Sequence, residues 1–413
     1  MAWVAYRPGH SRSQVLGMLT PHHSRATTLI NADLAGSAER SLRIVDSKIV
    51  AIGGRPQPND RVIDLQGDRV LPGLINAHDH LQLNNLPNLE LPANYAHVRE
   101  WIADIKARMR SDPAFQASAT ATLDKRLAIG GLKNLLSGVT TVAHHDPFFR
   151  LLSHPHFPVR VISNCGWSHS LYLDGEQKVS SSYRRTPAEW PWIIHAGEGL
   201  DREAAGEFER LDALGCLGSN TLIVHGIALD ESQRKRLDAA AAGLIWCPAS
   251  NLRLFGRTAE VADLMAHGRI ALGTDSRLSG ARDLLDELRV ARRIGNLDET
   301  ALQTLVTSAS ARLLRLADCG VLNAGARADL LILPARMPLS RATRADIRLV
   351  LLDGIARYGD RDLAHSMAPQ SHWLQIAVDG RAKILDRNIA ALLDNAGMSE
   401  QGLELPDGTW RAA

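Results

Sequence analysis

The stretch Leu71-Pro-Gly-Leu-Ile-Asn-Ala-His-Asp-His80 decides how this 413-residue chain is read. Gly73 to Ala77 is a short apolar run and predicts a buried strand. His78 and His80 follow at its end. Side chains at i and i+2 of an extended segment point to the same side, so both imidazoles reach one point just beyond the strand. That arrangement suits a divalent metal ion.

From residue 71 onward, apolar strands alternate with amphipathic helices, the mark of βα repeats around a parallel sheet. Strands are expected at 73–77, 139–143, 159–164, 192–195, 221–225, 243–247 and 270–274. Helices are expected from Asp201 to Leu214, after the caps Asp230 and Asp283, and from Asp298 to Leu316. Residues 26–70 read instead as short strands and turns, and 319–360 return to that texture. The expected architecture is α/β. A (β/α)8-type TIM barrel spans 71–318, and 26–70 plus 319–360 form a small β-sandwich from both ends of the chain. Residues 1–25 read as a loose leader, and 361–413 as a C-terminal tail with a helix from Leu385 to Asn395.

Bulk properties narrow the classes. A formal charge of +2 favours neither a nucleic-acid nor a membrane partner. Cys165, Cys216, Cys247 and Cys319 form no CxxC pair, which fits a reducing compartment. No apolar run is long enough to span a bilayer, and the leader lacks the apolar segment of a signal peptide. A cytoplasmic enzyme with a small-molecule substrate is the expectation, and homo-oligomerisation is left open. HExxH, Pro-Cys-x-x-Cys, P-loop and strand-linked GxGxxG motifs are absent.

Later strands end on residues of matching chemistry. Trp192-Ile-Ile-His195 is followed by Ala-Gly-Glu198, Leu222-Ile-Val-His225 ends on histidine, and Ala271-Leu-Gly-Thr-Asp275 on aspartate. Strand C-termini of a parallel barrel converge on one face. His78, His80, His195 and Asp275 can therefore meet there as three imidazoles and one carboxylate, a zinc-type donor set with room for water. Such an ion lowers the pKa of bound water towards ~7. His225 and Asp275 are placed to orient that water or take its proton, and Glu198 to carry the proton to a leaving nitrogen.

Other polar residues compete for attention. Gln82, Asn84, His144 and His169 follow strand ends and are candidate substrate contacts. His144-His145-Asp146 ends the second strand, where pocket lining is preferred to a second metal. His154-Pro-His156 lies in a Pro-flanked loop. Arg253, Arg257 and Arg277 read as a solvated rim, Asn251 as a loop brace and Cys247 as packing.

Taken together and in order, these segments resemble the amidohydrolase superfamily over roughly residues 26–360. PGLINAHDH is similar to its first-strand motif, and HAGE to the fifth-strand His-x-x-Glu of its deaminase-like branch. Cys247-Pro-Ala-Ser-Asn251-Leu-Arg-Leu254 resembles the seventh-strand element, and Gly273-Thr-Asp-Ser276 the eighth. The flanking sandwich resembles the cytosine deaminase, guanine deaminase and chlorohydrolase group. The resemblance implies metal ligation by His78, His80, His195 and Asp275, with Glu198 as proton shuttle and His225 as the polarising histidine. It also implies one divalent ion, zinc as the usual choice and iron as the alternative. Too few residues separate Cys165 from Trp192 for helix, strand and helix. The fourth βα unit is therefore expected to be shortened or lost, with 168–190 a patching loop.

The resulting expectation is an amidohydrolase-type enzyme acting on carbon–nitrogen bonds other than peptide bonds. The first reading is an aminohydrolase deaminating a small nitrogen heterocycle by metal-activated hydroxide. The alternatives are an imidazolonepropionase-like hydrolase of a cyclic or linear amide, a halide-displacing hydrolase, and a metal-free, non-catalytic member.

Overall fold

The opening stretch forms two strands that belong to different sheets. Arg69–Pro72 pairs antiparallel with Leu330–Leu333, and the next strand, β1 (Leu74–Asp79), runs parallel to β2 (Val139–His144). Gly73 is the crossing point. A Cβ there would lie 2.3 Å from Thr140 Oγ1, so only glycine lets the two strands pass this closely. The computed structural model describes residues 26–86, 94–393 and 400–405. The expected leader, and the last residues of the expected tail helix, lie outside them.

Eight parallel strands carry the α/β part. They continue as β3 (Arg160–Val161), β4 (Gly166–Ser170), β5 (Trp192–Ala196) and β6 (Thr221–His225), then β7 (Gly243–Trp246) and β8 (Ile270–Leu272). Two sheets result, β1-β2-β3 and β4-β5-β6-β7-β8. They meet along β8 and β1, where Asp79 and Asp275 form a parallel bridge. Along the same line Thr274 N donates to His78 O (2.9 Å) and His80 N to Asp275 O (2.7 Å). Between β3 and β4 no strand pairing occurs among the described residues.

Here the expectation of a missing fourth unit is corrected. Gly166–Ser170 is a strand, and Leu171–Arg185 is a helix rather than a loop. The helix absent from the repeat is the one after β3, because only four residues separate Val161 from Gly166. The expected long helix after Asp298 is also divided, into Glu299–Leu305 and Ser308–Leu313. At the break, Val306 O accepts a hydrogen bond from Ile75 N of β1 (2.8 Å).

The remaining strands form a four-stranded sheet, containing Thr27–Ile30, Leu42–Val45, Lys48–Ile52 and Arg61–Asp64, and an eight-stranded sheet. The latter joins Arg69–Pro72 to Leu330–Leu333, Leu349–Leu352 and Ile355–Gly359, and also to Trp373–Val378 and Arg381–Asp386. The tail thus contributes strands, followed by the helix Arg387–Leu393. Leu330, Ile332, Leu349 and Leu351 pack with Leu29, Leu42 and Ile49 of the smaller sheet, while Leu331, Leu333 and Val350 face the core of the α/β part. Alternate side chains of one strand face opposite ways, so Leu-Leu-Ile-Leu is apolar throughout because both faces are covered.

Candidate metal centre

β1 delivers His78 and His80 to the strand-end face, and β5 brings His195 to meet them. His195 Nε2 lies 3.2 Å from His78 Nε2. Asp275, just past β8, places Oδ1 3.4 Å from His78 Nε2 and 3.6 Å from His80 Nε2. The other atoms of these residues are held from behind. His80 Nδ1 bonds Asp146 Oδ2 (2.7 Å), and His195 Nδ1 bonds the carbonyl of His169 (2.9 Å). Asp275 Oδ2 accepts from Ser250 Oγ (2.8 Å) and from Ser279 Oγ. Partners of this kind fix the tautomer and direction of metal ligands.

Two overlapping donor sets stand out among the described residues: His78, His80, His145 and His195, and His78, His195, His225 and Asp275. Within each set the ligand-capable atoms all lie within 4.8 Å of one another. Imidazole nitrogens gathered this closely repel unless a proton or a cation sits between them. His78 Nδ1, His145 Nδ1 and His225 Nε2 are buried without a hydrogen-bond partner. The residues present therefore fit a divalent ion of the zinc or iron type.

Backbone strain marks the same place. His225 (φ 70°) and Asp275 (φ 59°) are left-handed although neither is glycine. Such conformations cost about 1–3 kcal/mol and persist where surrounding structure enforces them. His225 Nδ1 donates to Asn251 Oδ1 (2.8 Å), and the Asn251 amide donates onward to Thr258 Oγ1 (3.1 Å). Asn251 thus orients His225, beyond the loop-bracing expected of it. The outward His225 nitrogen lies 3.6 Å from Glu198 Oε1, too far for a hydrogen bond.

Proton affinities diverge sharply within the cluster. Burial, with the negative charges of Asp275 and Glu207 nearby, raises Glu198 well above the ordinary glutamate value. Burial lowers His78 to about 4 and holds His195 and His225 low as well. Burial acts the same way on His80, but the bond to Asp146 and its charge outweigh it and lift that group to about 9. Asp275 is held low by His78 and the neighbouring imidazoles in spite of its burial. Carboxyl groups pushed in opposite directions at one site are the pattern of an acid and a base with separate tasks.

The expected substrate contacts fare differently. Gln82 braces Asp146 through Nε2 (2.7 Å), while its Oε1 is buried and unpartnered. His169 contributes its backbone carbonyl to His195, and its ring packs 5.0 Å from Trp167. His144 is buried, with Nδ1 3.4 Å from Leu81 N and Asp79 O. Asn84 is a correction. Its amide donates to Asp79 (2.8 Å), and its oxygen accepts from Lys133 Nζ (2.8 Å) and Arg277 N (2.9 Å), so nothing is left for a substrate.

A buried network behind β1 was missed in the sequence. Asp79 points away from its histidine neighbours, to Lys133 Nζ (3.1 Å) and Asn134 Nδ2 (2.8 Å). Lys133 also reaches Thr274 Oγ1 (3.1 Å), and Asn76 links Thr274 (2.8 Å) to Asn134 (2.9 Å). The alternation of β1 itself was the available signal, since Asn76 and the Asp79 of His-Asp-His are polar within a buried strand.

Burial raises the proton affinity of the carboxyl group beside this histidine-rich donor set, a combination suited to hydrolysis with a divalent metal ion. Residues 186–356 match the model described as "Amidohydrolase family". A 5-methylthioadenosine/S-adenosylhomocysteine deaminase of Halobacterium salinarum is 25% identical over 379 residues, covering 76% of this chain and 87% of the relative. A 5'-deoxyadenosine deaminase of Methanothermobacter thermautotrophicus is 23% identical over 408 residues, covering 80% and 92%. Among solved structures, an adenosine deaminase from Xanthomonas campestris with bound zinc superposes with a TM-score of 0.66 at 18% identity, covering 80% of this chain and 92% of that one. A zinc-complexed atrazine chlorohydrolase from Arthrobacter aurescens gives 0.65 at 18% identity, covering 80% and 94%.

Proposed function

We propose that this protein is an aminohydrolase that replaces an exocyclic amino group of a small nitrogen heterocycle by oxygen, consuming water and releasing ammonia. The observation that carries this is the placement of a buried carboxyl group of raised proton affinity, Glu198, beside imidazoles and a carboxylate that converge at strand ends of a barrel-type scaffold. The names of the relatives make adenosine-type nucleosides the first substrates to test.

His78, His80, His195 and Asp275 would hold the ion, zinc by preference and iron as the alternative. Bound there, a divalent ion supplies Lewis-acid activation of water at neutral pH. The remaining chemistry belongs to side chains. Glu198 delivers its proton to the departing nitrogen, which would otherwise leave as a poor anion. His225, held by Asn251, offers its outward nitrogen to the oxygen that adds to the ring carbon. Asp275 keeps one oxygen inward because Ser250 and Ser279 occupy the other.

The test is ammonia release from purified, metal-loaded protein across adenosine derivatives, free purines, pyrimidines, pterins and triazines. Glu198→Gln is expected to keep its metal and lose at least ~100-fold in turnover. Unchanged turnover would remove Glu198 from the mechanism. Silence across the panel with cleavage of cyclic amides would replace deamination by amide hydrolysis.

A further inference from the structure

His145 lies just beyond the last residue of β2 and is buried, with 1% of its surface exposed. Its Nε2 lies 2.9 Å from the carbonyl of Ser168. A carbonyl oxygen only accepts, so that nitrogen carries the ring hydrogen and Nδ1 is left with a lone pair. Nδ1 is buried and has no hydrogen-bond partner. It sits inside the cluster: the His145 ring is 4.5 Å from that of His195, 5.1 Å from His78 and 5.7 Å from His80. His195 has the same arrangement in mirror order, its outer nitrogen on the His169 carbonyl and its inner one towards His78. The two rings are thus fixed by adjacent carbonyls of β4, Ser168 and His169, and both belong to a donor set, with His78 and His80, whose ligand-capable atoms lie within 4.8 Å of one another.

We propose that His145 is a direct metal ligand through Nδ1, a nitrogen donor additional to His78, His80, His195 and Asp275. The assignment rests on the proposal that the cluster holds a divalent ion. A buried lone pair facing other nitrogen donors is unfavourable without a cation to share. With His145 included, the ion meets four imidazoles and one carboxylate. That exceeds the four donors of an ordinary zinc site and leaves one position of a six-coordinate ion for water. The Ser168 carbonyl of β4 thus reaches across the β3–β4 gap to the residue that follows β2.

The experiment uses the full-length chain in wild-type, His145→Gln and His145→Ala forms. Glutamine retains an N–H able to bond the Ser168 carbonyl and lacks the ring nitrogen, so it separates ligation from packing. Zinc affinity is measured by competition with a chromophoric chelator, and the visible bands of the Co²⁺-loaded proteins are recorded. Both variants are expected to lose at least ~10-fold in affinity, to shift the Co²⁺ bands in position and intensity, and to keep the melting temperature of the metal-free form in His145→Gln. A zinc-anomalous map of wild-type crystals is expected to place the ion about 2.0–2.1 Å from Nδ1. Wild-type affinity and spectrum in both variants, or an ion beyond bonding distance of Nδ1, would overturn the assignment and leave the deaminase reading standing. A wild-type protein that takes up no ion would overturn both.

Discussion

Glu287 is a buried carboxyl group whose proton affinity the fold raises. It lies within the helix Leu284–Gly295, and Oε1 accepts a hydrogen bond from Ala249 N (2.8 Å) at the start of the helix Pro248–Phe255. A negative charge suits a helix N-terminus, but burial dominates and raises Glu287 to about 8. Its folded-state value exceeds its unfolded one, so the group contributes full stability below the ordinary glutamate range. That contribution is lost progressively as pH rises towards about 8. Glu287→Gln, which copies the protonated form, is expected to flatten the fall in melting temperature between pH 5 and 8, as thermal unfolding across that range will show. Sequence legibility at this scale follows locality. His78 and His80 are neighbours on one strand, so period two alone places them together. Asn84 looked equally available, yet its partners Lys133 and Arg277 are remote in sequence, and only the fold reveals that they consume it. The direction of the His145 ring depends on Ser168, on a strand with which β2 does not pair.

The helix Leu123–Leu136 packs behind the strand end that carries His78 and His80. A Cβ on Gly130 would lie 2.2 Å from Leu81 O, so this helix packs directly on the turn that follows His80. One turn further, Lys133 pairs with Asp79, both side chains being fully buried. Lys133→Met alone leaves a buried carboxylate without its counter-charge and is expected to cost about 3–5 kcal/mol. Adding Asp79→Asn is expected to recover most of that, measured by denaturant unfolding of both variants. β4 illustrates what periodicity does not reveal. Gly-Trp-Ser-His-Ser has no alternating apolar face, and its strand character comes from pairing with β5. The helix after it begins across a kink at Gly175 (φ 73°) and contains Ser180-Ser-Ser182, a composition that reads as loop.

At the scale of the molecule, the C-terminal segment closes a charge circuit around the centre. Glu400, 1% exposed, receives Arg277 Nη2 (2.7 Å) and Arg344 Nη1 (2.7 Å). Arg344 also bonds Asp283 (2.6 Å), and Arg277 bonds the Asn84 carbonyl (3.2 Å). The tail therefore neutralises a side chain two residues from Asp275. Glu400→Gln strips two buried guanidinium groups of a shared counter-charge. It is expected to lower stability by several kcal/mol, about 3–5 by analogy with other broken buried pairs, and to weaken metal uptake, read by unfolding and by elemental analysis. The distant pairing of this carboxylate is invisible to any local pattern, as is the double burial of the eight-stranded sheet, whose strands read only as apolar. Glu400 also has a consequence in time. Translation supplies every proposed ligand by residue 275, but the carboxylate that Arg277 and Arg344 share only at residue 400. A nascent chain stopped just short of residue 400 would carry all the groups proposed to capture an ion and lack the carboxylate that ties Arg277 to Arg344. The centre should thus mature in one late step, and ions offered to the unfinished chain should be held loosely and exchanged freely.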